Sequence, residues 1–152
     1  MASMGSSSQS KLVDVVRGHS LAPRAEERVR QQWLRRMIEE LDYPLHTLIV
    51  ERKLSCLPHL HSLPPIPDRR ADIVCVAKGI HPVHPFYPLL LIECKKGTVG
   101  EDALKQVEAY NDFVGAYFVA VASARAICVS YSGSHSLPFL PSYPELMHAC
   151  RR

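Results

Sequence analysis

Leu89-Leu90-Leu91-Ile92-Glu93-Cys94-Lys95 is apolar for four residues and then turns charged. A short, near-continuous apolar run bounded by turn residues predicts a strand over Leu89–Cys94, buried on both faces at the centre of a sheet. Gly97 and Gly100 predict the turn that follows. Strand side chains alternate, so Glu93 and Lys95 share one face and Cys94 points to the other. Outward from this stretch, Ala71-Asp72-Ile73-Val74-Cys75-Val76-Ala77 and Thr47–Leu54 predict two earlier strands. Tyr117–Ala122 and Ala126–Tyr131 predict two later ones around a short turn.

Two helices bracket the strands. From Pro23, placed in the first helical turn, Val29, Trp33, Leu34, Met37, Ile38 and Leu41 recur at three- and four-residue spacing. Arg and Glu residues fill the other face, which predicts an amphipathic helix ended by Asp42-Tyr43-Pro44. Glu101–Phe113 predicts a second helix with Leu104, Val107 and Tyr110 inward. Prolines at 58, 64, 65 and 67 and the His/Pro stretch Gly79–Pro88 predict loops. Pro138, Pro141 and Pro144 predict a mostly irregular end with one short helix at Glu145–Cys150. The order is α-β-β-β-α-β-β, a mixed α/β fold in which helices cover one sheet. The expected organisation is a Ser-rich tail and lead-in over 1–20, one domain over 21–133 and a Pro-rich extension over 134–152.

Composition narrows the classes. With 152 residues, 47% of them apolar and 22% charged, the chain is long enough for one core and too apolar for wholesale disorder. No apolar run approaches the ~18 residues of a membrane helix, and the start lacks the basic and apolar regions of a signal peptide. Five cysteines without a CxxC pair predict reduced thiols and a cytoplasmic setting. A net charge of +3 permits nucleic acid as a partner without demonstrating it. Cys56-x-x-His59-x-His61 and His81-x-x-His84 carry zinc-type ligands, but their spacing matches no structural zinc site. They are expected to be exposed loop histidines that hold no metal.

Asp72, Glu93 and Lys95 are the charged residues that stand within or at the end of apolar strands. Burying carboxylates there is costly without a compensating partner, and a divalent cation is a good one. Asp72 on the second strand and Glu-x-Lys on the third resemble the PD-(D/E)xK nuclease superfamily. More narrowly, Ala25-Glu26-Glu27-Arg28-Val29-Arg30-Gln31, Leu41-Asp42-Tyr43-Pro44, Val50-Glu51, Arg70-Ala71-Asp72-Ile73-Val74, Leu91-Ile92-Glu93-Cys94-Lys95 and Gln106-x-x-x-Tyr110-Asn111 resemble the N-terminal nuclease domain of type I restriction enzyme R subunits.

The resemblance implies a restriction-endonuclease-like α-β-β-β-α-β core and metal-dependent hydrolysis of DNA phosphodiesters. It implies that Asp72, Glu93 and the backbone carbonyl of Cys94 hold Mg²⁺ or Mn²⁺, helped by Glu26 or Glu27, of which Glu26 lies nearer the centre of the apolar side. Lys95 would act on the attacking water, and Gln106 and Tyr110 would line the site. DNA is the implied partner, with a directing protein or a second copy of the chain beside it and no membrane. No Gly-x-x-x-x-Gly-Lys-Ser/Thr loop occurs in the chain, so no ATP is implied. Ala71 stands in place of the motif's proline. The alternative reading is a non-cleaving nucleic-acid-binding or assembly module of the same fold.

Overall fold

The computed structural model describes residues 12–60, 66–132 and 135–151. A small hairpin, β1 (Leu12–Val13) and β2 (Ser20–Leu21), leads into helix α1 (Ala25–Glu39). Strands β3 (Leu48–Lys53), β4 (Arg70–Ala77) and β5 (Tyr87–Cys94) follow, then helix α2 (Glu101–Val114). Strands β6 (Phe118–Ala122), β7 (Ile127–Ser132) and β8 (His135–Leu137) and helix α3 (Tyr143–Cys150) complete the order.

Strands β3 to β8 form one sheet in sequence order. Every pairing is antiparallel except β5 with β6, which are parallel and joined by α2. A parallel pair needs such a crossover because a tight turn cannot reverse the chain twice. Leu89 to Ile92 are fully buried, as a central strand covered on both faces requires. The pleat divides the apolar residues between two cores. Val50, Ile73, Ile92, Ala120 and Ala122 pack with Trp33, Leu34 and Met37 of α1 and Leu146 of α3. Val74, Leu91, Val119 and Val121 pack with Leu104, Val107, Tyr110 and Val114 of α2.

Several local readings shift. Pro23 does not enter the first helical turn, because Arg24 is the cap residue and the helix begins at Ala25. The Pro-rich end is more regular than its prolines imply. Pro138 and Pro141 lie in the link between β8 and α3, and Pro144 sits in the first turn of α3, where its missing N–H costs nothing. Residues Leu140 and Leu146 belong to the α1-side core.

His59 is buried, not exposed: its Nε2 bonds the carbonyl of Val114, and its ring meets Tyr87 edge-on at 5.2 Å. Burial holds its imidazole below the ordinary range. His81 stacks on Tyr87 at 4.3 Å, so the histidines pack against aromatic rings at the end of the sheet away from Glu93. His61 lies outside the described residues. All five cysteines are free thiols.

The junction of α2 and β6 sets the position of α2 over the sheet. Gly115 adopts φ +76°, the left-handed conformation that suits glycine at a helix end. Asn111 then clasps both the N–H and the carbonyl of Ala116, each at 2.9 Å. A Cβ on Gly115 would stand 2.6 Å from the hydroxyl oxygen of Tyr87. Gly115→Ala is therefore expected to cost about 1–3 kcal/mol, read from the urea midpoint. In a Tyr87→Phe background the clash is absent, so the added cost of Gly115→Ala should shrink to the backbone component.

Candidate functional site

The ladder between β4 and β5 ends at the pair Ile73–Ile92. Beyond it, two carboxylates take over the task of the backbone. Glu93 Oε2 accepts the N–H of Asp72 at 3.0 Å, and Asp72 Oδ2 accepts the N–H of Cys94 at 2.9 Å. Buried backbone donors must find acceptors, so this exchange seats both acids at the end of the two central strands. Glu93 is only 6% exposed. Burial, and then repulsion from Asp72, raises its pKa to about 7, even though Arg69 and the Asp72 N–H act against the shift.

Two arginines face this pair from different directions. Arg30, projecting from α1, places Nη2 2.8 Å from Asp72 Oδ1. Its Nη1 pairs with Glu27 one turn earlier and lies 3.6 Å from Glu51. Arg69, just before β4, donates to Glu93 Oε1 at 3.1 Å and rests on the ring of Tyr110, 3.9 Å from its centroid. Tyr110 thus reaches Glu93 through a guanidinium seated on its face, a cation–π contact.

Glu51 stands where β3 should pair with Asp72. The ladder runs from Leu48 to Val50, skips this position and resumes at Arg52. Glu51 has φ +49°. That left-handed conformation costs a residue with a Cβ roughly 1–2 kcal/mol. The charged contacts of Glu51 offset the cost: besides Arg30, Arg17 of the β1–β2 turn reaches it at 3.2 Å and also binds Asp14.

Two neighbouring cavities open at this end of the sheet. One, of about 660 Å³, is lined by Arg24, Glu26, Glu27, Arg30, Glu51 and Lys96. The other, of about 640 Å³, is lined by Glu26, Lys95, Lys96, Gln106 and the Gly97–Gly100 turn. Lys95 is half-buried, and its N–H bonds Ala122 at 2.8 Å. Lys95 lies one residue beyond β5 and shares a cavity wall with Gln106. Gln106 is exposed but belongs to the same cavity wall as Lys95.

The first-helix acids exchange importance relative to the helical-wheel reading. Glu27 is buried against Arg30, while Glu26 is exposed. At Glu26 the helix overhangs the cavities instead of the sheet, which an angular projection cannot register. Neither Arg30 nor Glu51 is marked as a site partner by the sequence pattern, and Arg69 pairs with Glu93. The i, i+3 spacing of Glu27 and Arg30 was a usable signal. The approach of Glu51 to Arg30 was not, because it depends on strand register. Among the described residues, no group of three or more His, Cys, Asp and Glu side chains is placed to hold a metal ion.

A sheet of this order, with helices on both faces and acids at the parted ends of its central strands, is a restriction-endonuclease-like core. The type I restriction enzyme R protein N terminus family matches residues 25–144, and the chain belongs to that family. No curated protein and no solved structure matches the chain. No helix among the described residues is long and apolar enough to cross a membrane.

A carboxyl whose pKa is raised on folding makes the folded state bind more protons than the unfolded one. Its contribution to stability is therefore lost as pH rises from about 4.5 towards 7. Glu93→Gln keeps an acceptor for the Asp72 N–H and removes the charge. It should stabilise the metal-free protein by roughly 1–3 kcal/mol near pH 8, with the gain vanishing near pH 5, as thermal melts at both values would show.

Proposed function

We propose that the chain is a Mg²⁺-dependent DNA phosphodiester hydrolase. The observation that carries this reading is the exchange between Asp72 and Glu93 at the parted ends of β4 and β5, two residues before Lys95, which lines a cavity whose wall includes neither acid. The residues suit the ion. Oxygen donors are what Mg²⁺ prefers, and it needs only one or two carboxylates because it keeps several waters. Arg69 leaves Glu93 under-compensated, with its pKa still raised to about 7. Asp72, Glu93 and the carbonyl of Cys94 would hold the ion, and Mn²⁺ would substitute for it. When bound, it supplies Lewis-acid stabilisation of charge on phosphate oxygens.

The other roles belong to the chain itself. Lys95 brings an ammonium to the cavity where a phosphate would sit, to orient the attacking water and offset the charge that develops as phosphorus is attacked. Arg24 and Lys96 line the adjoining cavity and attract the phosphate backbone. Gln106 offers an amide at the wall of the Lys95 cavity. Tyr110 keeps Arg69 on Glu93. The thiol of Cys94 is buried with its pKa well above the ordinary range, so its part is confined to the backbone. A protein partner or a second copy would supply target choice.

A second reading is a module that binds nucleic acid or assembles without cutting. It is favoured by Arg30 and Arg69, which already pair with both acids.

Incubation with linear, circular and single-stranded DNA, in Mg²⁺, Mn²⁺ or EDTA, separates the two. The hydrolase should cut only with metal. Lys95→Ala should lower the rate about 10²–10³-fold while leaving the circular dichroism unchanged. Excess Mn²⁺ should partly rescue Glu93→Ala and not Lys95→Ala. Intact DNA in every metal, with Lys95→Ala indistinguishable from wild type, would establish the second reading.

A further inference from the structure

Three imidazoles gather around Tyr87 at the end of the sheet away from the acids. The ring of His84 lies 6.1 Å from that of His59 and 4.8 Å from that of His81, and all three meet the ring of Tyr87. His59 comes from the turn Pro58–Leu60, and His81 and His84 come from the loop between β4 and β5. Hydrogen bonds fix the protonation of two of these rings. The Val114 carbonyl can only accept, so His59 Nε2 carries the proton. His59 Nδ1 is buried with no partner among the described residues, so a second proton there would be a buried donor without an acceptor. His81 Nδ1 accepts the N–H groups of Val83 and His84, each at 3.1 Å, so it must keep its lone pair. A proton on that nitrogen breaks both bonds.

The cluster holds the end of α2. His59 takes the carbonyl of Val114, and the Tyr87 hydroxyl donates to that of Gly115 at 2.6 Å. No opposite charge answers an added proton. Tyr117, 5.5 Å from the Tyr87 ring, spends its hydroxyl on the carbonyl of Ile80. The charged residues nearest along the chain to the loop and to Val114, Lys78 and Asp112, are exposed, and the Lys78 ammonium lies over Phe86. We propose that His59, His81 and Tyr87 form a proton-sensitive clasp, which fastens the end of α2 to the Pro58–Leu60 turn and the β4–β5 loop while both imidazoles are neutral and lets go when they are protonated. Burial holds His59 below the ordinary range against the pull of the Val114 carbonyl, and His84 and His81 add to the shift. The fastened state therefore binds fewer protons than the released one, so its stability is intact above about pH 6.5 and lost as pH falls below it. Each pH unit favours release about tenfold for every imidazole that must stay neutral. The clasp is independent of the hydrolase reading, but α2 also carries Tyr110, which seats Arg69 on Glu93.

The test follows imidazole and backbone nitrogen signals of the full chain by NMR between about pH 7.5 and 5. At the upper value Nδ1 of both His59 and His81 should be unprotonated. On acidification the backbone N–H signals of Gly115 and Ala116 should move in wild type. They should stay in the double variant His59→Gln, His81→Asn. There the glutamine amide replaces the Nε2 donor, the asparagine oxygen accepts the backbone N–H groups as in an Asx turn, and neither group titrates. A proton on either Nδ1 at the upper pH overturns the proposal. So do wild-type signals that stay in place, or a double variant whose signals move as far as those of wild type. Should the double variant fail to fold, His59→Gln alone is expected to lose the movement at Gly115 and Ala116, and retention of the full movement also overturns it. The imidazole signals of wild type decide the matter without any variant if a proton is found on either Nδ1.

Discussion

Two backbone N–H groups at the parted ends of β4 and β5 set the terms for everything around them. Central strands covered on both faces cannot leave such donors to water, so each needs an acceptor inside the protein. Here the acceptors are the carboxylates of Asp72 and Glu93. The same bonds that finish the sheet therefore import two negative charges. Glu93, the more deeply buried, carries the electrostatic cost as a raised pKa.

The two helical layers reach the acids by different routes. On one face α1 sends Arg30 directly to Asp72. On the other, α2 acts through Tyr110, whose ring carries Arg69 onto Glu93. The exposed half of Arg69 and the burial of Arg30 make these contacts unequal: the first is free to yield to solvent or ligand, the second is locked by three carboxylates. The opposite end of the sheet is built from rings. There His59, His81 and Tyr87 pack against the end of α2, and the left-handed Gly115 admits the Tyr87 hydroxyl. The acids, lysines and cavities gather at one end while the other end anchors α2.

Family membership and site chemistry are separate statements. The family match spans α1, α2 and every strand of the sheet from β3 to β8, which accounts for the architecture. The proposed hydrolysis rests on a handful of side chains at one edge, since a fold does not by itself dictate an activity. Glu27 illustrates the difference. It is one of the two first-turn acids that the resemblance left open as a metal ligand, yet here its partner is Arg30.

Local signals in the chain decided much. The apolar run at Leu89–Ile92 specified a central strand, and the spacing of Val29, Trp33, Leu34 and Met37 specified a helix with one buried face. Those features depend on periodicity, which neighbouring residues fully determine. The last helix was legible at Glu145–Cys150, but the short strand β8 was not, because prolines there mark links as well as breaks. What only the tertiary structure decided is which charge meets which. The i, i+3 spacing marks Arg30 as a partner of Glu27 but not of Asp72 or Glu51, and Glu51 gives no sign of its left-handed bend. An angular projection ranks Glu26 nearer the centre of the apolar side than Glu27, the reverse of their burial. Their pairings depend on where α1 overhangs the sheet edge and on the register of β3 against β4. Those are long-range quantities, settled by the packing of whole elements and not by the residues beside each charge.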